Sequence, residues 1–177
     1  MDKYILVCVL LLILVEMLCV TAVFTADWIV SYQFGRLRHG LYHFCHTYPG
    51  EEESCEFQYQ HIAWTTSSLG IVGAVGVIAI SISFLVINLK RDLPAFASTG
   101  KWVALIGLML LCVVGIVFPL GFSASEFGGH SYLLTSPYQV GYSYVLFNVA
   151  IVTGIAAMVV GNKMFWPFFS RFFNAVR

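Results

Sequence analysis

Residues 39–57 read HGLYHFCHTYPGEEESCEF, a polar and aromatic stretch enclosing two cysteines. Whether Cys45 and Cys55 pair, and on which side of what barrier, decides the fold. The chain around them is 59% hydrophobic and only 10% charged over 177 residues, a balance that excludes an ordinary soluble domain. Four apolar stretches account for it, at 4–24, 65–89, 102–122 and 141–161. Each has about the 20 residues that cross a hydrocarbon core of roughly 30 Å. With no water there to satisfy the backbone, all four are expected to be helices of one four-span membrane domain covering 1–177.

The first stretch exceeds the roughly 7 to 15 apolar residues of a cleaved signal, and only Lys3 stands beside Asp2 at its start. Val20, Thr21 and Ala22 would pass as a weak cleavage site, but retention as the first helix is the expectation. Lysine and arginine in the short connections then set the orientation. With the N-terminus inside, the cytoplasmic parts hold Lys3, Lys90, Arg91, Lys101, Lys163, Arg171 and Arg177, whereas the outer loops hold Arg36 and Arg38. The acids Asp27, Glu51, Glu52, Glu53, Glu56 and Glu126 all fall outside. Both termini are therefore expected to be cytoplasmic. The first outer loop spans about 26–64, the inner loop about a dozen residues (90–101), the second outer loop 123–140 and the cytoplasmic tail 162–177.

Cys45 and Cys55 are the only cysteines outside the expected spans, and they lie on the oxidising side, where thiols pair. A disulfide is the first reading. Pro49 and Gly50 between them signal a turn. The stretch 55–60 alternates apolar and polar residues at the period of a half-buried strand, with 41–45 as its partner. A bond there pins a hairpin and contributes about 2 to 4 kcal/mol by restricting the unfolded chain. A rival reading takes His39, His43 and His46 with the two cysteines as zinc ligands, although their spacing matches no structural zinc pattern. The run 51–53 of glutamates reads as a solvated turn, with a basic patch on a partner as the alternative.

Inside the spans, Glu16 lies near the middle of the first, a depth at which an ionisable group is costly and functional by default. No basic residue in the other spans could neutralise it. A buried polar contact is expected, with Asn148, Ser81 or Ser83 as partner; a partner-binding or proton-linked role is the alternative. The second span opens with the small residues Ser67, Ser68, Gly70, Gly73, Ala74 and Gly76, which allow close approach of another helix. An intramolecular seam is the first reading, and homodimerisation through Gly70 and Ala74 the second. Pro119 should kink or end the third span. The aromatic and basic tail, 162–177, is expected to lie among membrane lipids at the inner headgroups.

No nucleophile elbow, phosphate loop, zinc-helix motif or paired carboxylates appear, and the inner loop is too short for a catalytic domain. The chain is not expected to be an enzyme, and no cofactor, metal or nucleic acid is expected to bind. No span carries the polar stripe of a pore or transporter.

Trp28 soon after the first span, then Gly40, Leu41, Tyr42 and Cys45, with Cys55 following, resemble the signature of the claudin and peripheral myelin protein superfamily, with Tyr42 in place of its tryptophan. The resemblance implies a left-handed four-helix transmembrane bundle under a small extracellular antiparallel sheet, with a structural disulfide. The short interval from Trp28 to Tyr42 implies a reduced sheet. The tail lacks the terminal Tyr-Val of junctional claudins. Within that superfamily the chain looks most like the modulator-of-smoothened family. The likeness lies in Asp27, Trp28 and Ile29, in Lys101 and Trp102, in Phe118, Pro119, Gly121 and Phe122, in Glu126, Gly128, Gly129 and Tyr132, and in Gly141, Ser143, Tyr144 and Phe147.

That second resemblance implies an attenuator of Hedgehog signalling at the plasma membrane and cilium, lowering Smoothened together with a large single-span receptor-like protein and a ubiquitin ligase. Two other functions stay open: a claudin-like adhesion or junction protein, and an auxiliary subunit of a channel or receptor.

Overall fold

In the computed structural model, residues 3–32, 35–48, 50, 52–57, 62–91, 93–123, 130–134 and 136–161 are described. Four helices, α1 (Lys3–Phe24), α2 (Ile62–Arg91), α3 (Pro94–Val117) and α4 (Tyr142–Gly161), are each long and apolar enough to cross a membrane. Five short strands join them: β1 (Ile29–Ser31), β2 (Arg36–His39), β3 (His43–Thr47), β4 (Ser54–Phe57) and β5 (Tyr138–Val140). They form one antiparallel sheet in the order β4-β3-β2-β1-β5. The chain is thus mostly helical, with a small antiparallel sheet at the end where α1 finishes and α2 and α4 begin.

The helices pair α2 with α3 and α1 with α4, and small residues set how closely they approach. A Cβ at Gly107 would lie 2.7 Å from Ile78 Cγ1, and one at Gly100 would lie 3.0 Å from Leu85. At Gly70 it would strike Val114, at Gly154 Leu108, and at Gly161 the Cys8 sulfur. Hydrogen bonding adds Ser81 Oγ, which donates to Gly100 O across the α2–α3 seam at 2.7 Å. Around these contacts the core is apolar, with Val15, Ile71, Ala74, Leu85, Leu111, Phe147, Ala150 and Ala157 fully buried.

Proline places both ends of α3. Pro94 stands in the first turn, where its missing N–H costs nothing. Pro119 cannot donate to the carbonyl four residues back, Gly115, and the helix tightens into a 3-10 turn over Phe118–Ser123. Tyr144 Oη donates instead to Gly115 O at 3.4 Å, and Tyr132 Oη donates to Ile116 O at 3.3 Å. A bilayer demands such replacements for freed backbone groups.

The structure adds detail to the sequence reading at two points. Helix continues into the expected inner loop from both sides: α2 runs to Arg91 and α3 starts at Pro94. Charge ends a hydropathy window without ending a helix, because lysine and arginine are good helix formers once clear of the hydrocarbon. Beyond the expected hairpin, β3 with β4, the sheet also holds β1, β2 and β5. Strands of three or four residues are too short to show a period.

Candidate functional site

Trp28 ties the sheet to the helices. Its indole N–H donates to Ala22 O at 2.6 Å, capping a carbonyl left free at the end of α1. Its ring lies 4.7 Å from Phe118, 5.6 Å from Phe147 and 5.9 Å from Tyr144, so one side chain meets the ends of three helices. Its own backbone N–H donates to His39 O, and its carbonyl accepts from Gly141 N, both at 3.0 Å. Thr25 and Ser143 hydroxyls, 2.7 Å apart, add a polar contact beside it.

The rest of the motif shows why these residue types are needed. Gly40 N donates to His43 O at 2.8 Å in a turn pressed against the chain after α1, and a Cβ there would sit 2.8 Å from Ala26 Cα. Leu41 is fully buried and Tyr42 packs half-buried on the core. Cys45 and Cys55 stand directly opposite in β3 and β4 and are bonded to each other. Among the described residues, metal-ligating atoms within 4.8 Å of one another occur at Cys45, Glu53 and Cys55. The bond uses both sulfurs, so the rival zinc set is not assembled. Instead the His39 ring packs at a tilt against Phe44 at 4.5 Å, His43 against Phe57 at 4.3 Å and His46 against Tyr48 at 5.4 Å.

A charge chain that sequence reasoning missed runs from the base of the sheet to its surface. The buried Asp27 carboxylate is 2.9 Å from Arg38 Nε, with Arg36 at 3.8 Å, and Arg38 Nη1 donates to Glu53 Oε1 at 2.9 Å. Glu53 is therefore not merely solvated, and both arginines of the outer loop are engaged within the chain. The available signal was weak: Arg36 and Arg38 alternate around Leu37, which places them on one strand face. Asp27 also anchors through its backbone, its carbonyl accepting from Ser143 N at 3.0 Å. Burial lowers the His39 pKa to about 4, because desolvation disfavours the imidazolium.

Within the helices, Glu16 is half-buried, and its Oε1 has no hydrogen-bond partner among the described residues. None of the expected partners reaches it. Asn148 is exposed and donates to Tyr144 O at 2.8 Å, Ser83 donates to Ala79 O, and Ser81 serves Gly100. Asn148 and Ser83 donate to carbonyls one turn back on their own helices, and Ser81 to a carbonyl on α3. Gly70 and Ala74 are spent against α3, so the outward small-residue pair expected for a homodimer is not presented. Gly73 and Gly76 face open space.

On the sheet side, a cavity of about 430 Å³ beside edge strand β5 is lined by Tyr32, Ser136, Pro137, Tyr138 and Gln139. Exposed Tyr48 and Phe57 add aromatic surface near the other edge. The tail 162–177, Pro49, Glu51, residues 58–60 of the expected strand, and Glu126, Gly128 and Gly129 lie outside the described residues. A sequence model of the family described as Attenuator of Hedgehog matches residues 25–167, from the turn before Trp28 through all of β1 to β5 and α2 to α4. The match spans most of the chain, which belongs to the Attenuator of Hedgehog family.

Proposed function

We propose that this chain is a non-enzymatic membrane adaptor that attenuates Hedgehog signalling by lowering Smoothened at the cell surface and cilium. Family membership over residues 25–167 is the observation that carries this reading. A large single-span receptor-like protein and a ubiquitin ligase are its proposed partners, because its own cytoplasmic connections are too short to carry a ligase. The arrangement is claudin-like, a left-handed bundle with both termini cytoplasmic and the sheet outside. That orientation is supported by the clustering of Lys3, Lys90, Arg91 and Lys101 at the end away from the sheet.

Recognition belongs to the sheet and its flanking aromatics, including Tyr32, Tyr138 and Phe57. Trp28, the disulfide and the Asp27–Arg38 pair hold that surface in one geometry, which reduces the ordering cost of binding. The test is surface Smoothened in cells lacking this chain. An increase, reversed by the wild-type chain, is expected; unchanged Smoothened together with lowered transepithelial resistance would replace this reading with an adhesive one.

A further inference from the structure

Away from the sheet, a second cavity of about 430 Å³ opens between the start of α3 and the end of α4. It is lined by Pro94, Ala97, Ser98, Lys101, Trp102, Leu105 and Met158. These residues divide by chemistry along the helix. Ser98 and Lys101 offer an O–H and an ammonium, whereas Leu105, one turn deeper, and Met158 across the gap are apolar, and Trp102 stands exposed at the rim. We propose that this cavity binds one anionic phospholipid, with its phosphate held by Lys101 and Ser98 and its first methylenes against Leu105, Trp102 and Met158.

Depth supports this assignment. From Pro94 to Ser123 the third helix and its 3-10 turn run 30 residues, about 45 Å at 1.5 Å per residue, against a hydrocarbon core of roughly 30 Å. Its first turns therefore project into the headgroup zone, and Lys101, about 10 Å from Pro94 along the axis, sits near the polar boundary. Trp102 beside it is the residue type that marks that boundary. Charge points the same way. Lys101 is half-buried and makes no ion pair among the described residues. The Ser98 hydroxyl makes no hydrogen bond among the described residues, whereas that of its neighbour Thr99 donates to Ala95 O. A half-buried cation and a free hydroxyl above an apolar floor match a phosphate joined to a chain, a combination that free phosphate lacks.

The test is native mass spectrometry of the full chain in mild detergent, with phosphatidylserine and phosphatidylcholine of matched chains as probes. One phosphatidylserine is expected to be retained about five- to ten-fold over phosphatidylcholine, a preference lost in Lys101→Gln and kept in Lys101→Arg. Lys90→Gln, which makes the same change in net charge, should leave the preference intact. An equal loss in Lys90→Gln would reduce the effect to general surface charge and overturn the site. Retention of the preference in Lys101→Gln, or displacement of the lipid by inorganic phosphate, would overturn it too. Thermal melts of the same variants separate loss of binding from loss of fold.

Discussion

Asp27 and Glu53 both meet Arg38, and their surroundings predict unequal worth. The Asp27 side chain is 2% exposed and that of Glu53 40%. Breaking a buried pair leaves an uncompensated charge and costs about 3 to 5 kcal/mol, whereas an exposed pair contributes about 0 to 1. Asp27→Asn should therefore lower the thermal midpoint in detergent sharply, and Glu53→Gln hardly at all; similar losses would mean the chain acts as one unit. His39 gives a second residue-scale expectation. Its folded pKa of about 4 lies below the unfolded value of 6.5, so the unfolded chain takes up the proton first on acidification. The stability it contributes is complete above about pH 6.5 and falls as pH drops toward 4, by up to about 3 kcal/mol. A melt series from pH 7.5 to 4.5 should show that slope in the wild type and a flatter one in His39→Gln. Trp28 and the cysteine pair were legible in the sequence because they form a local pattern. The Asp27–Arg38 pair was not, because it depends on strand register, Val30 opposite Arg38, which no spacing announces.

At the scale of elements, α2 and α3 approach through glycine, and the cost of added bulk depends on which face a glycine occupies. Gly107→Val would drive a side chain into Ile78 and the Ala74 carbonyl, with an expected loss of about 1 to 3 kcal/mol. Gly76→Ala has nothing within 4 Å to meet and should gain several tenths of a kcal/mol or more in helix propensity. Thermal melts of the two variants should move in opposite directions; a shared fall would mean that the outward face of α2 is also packed. The helices could be read from hydropathy because their length is imposed by the bilayer. Their ends could not, since Lys90, Arg91 and Lys101 stop a hydropathy count but not a hydrogen-bond ladder. The small-residue run in α2 was legible as a seam, whereas its division into an inward pair, Gly70 and Ala74, and an outward pair, Gly73 and Gly76, needed the neighbouring helix. Glu16 was legible as an anomaly for its depth, but that its Oε1 has no partner among the described residues follows from where Asn148, Ser81 and Ser83 donate.

For the whole molecule, the sheet and the α2–α3 turn lie at opposite ends of the helices, so one sidedness governs every surface. A bulky maleimide applied outside intact cells after mild reduction should label Cys45 and Cys55, whereas the same reagent confined to the cytosol should not. The reverse pattern would invert the proposed orientation. Order of synthesis adds a last consequence. β1, from residues just after α1, is flanked by β2 and by β5, which is made only after α3. Until residues 138–140 leave the ribosome, one flank of β1 has bare amides and carbonyls, and Trp28 lacks Tyr144 and Phe147. A nascent chain halted after its third span would expose that unpaired edge to the folding machinery. Completion of the sheet thus waits on the segment that leads directly into α4.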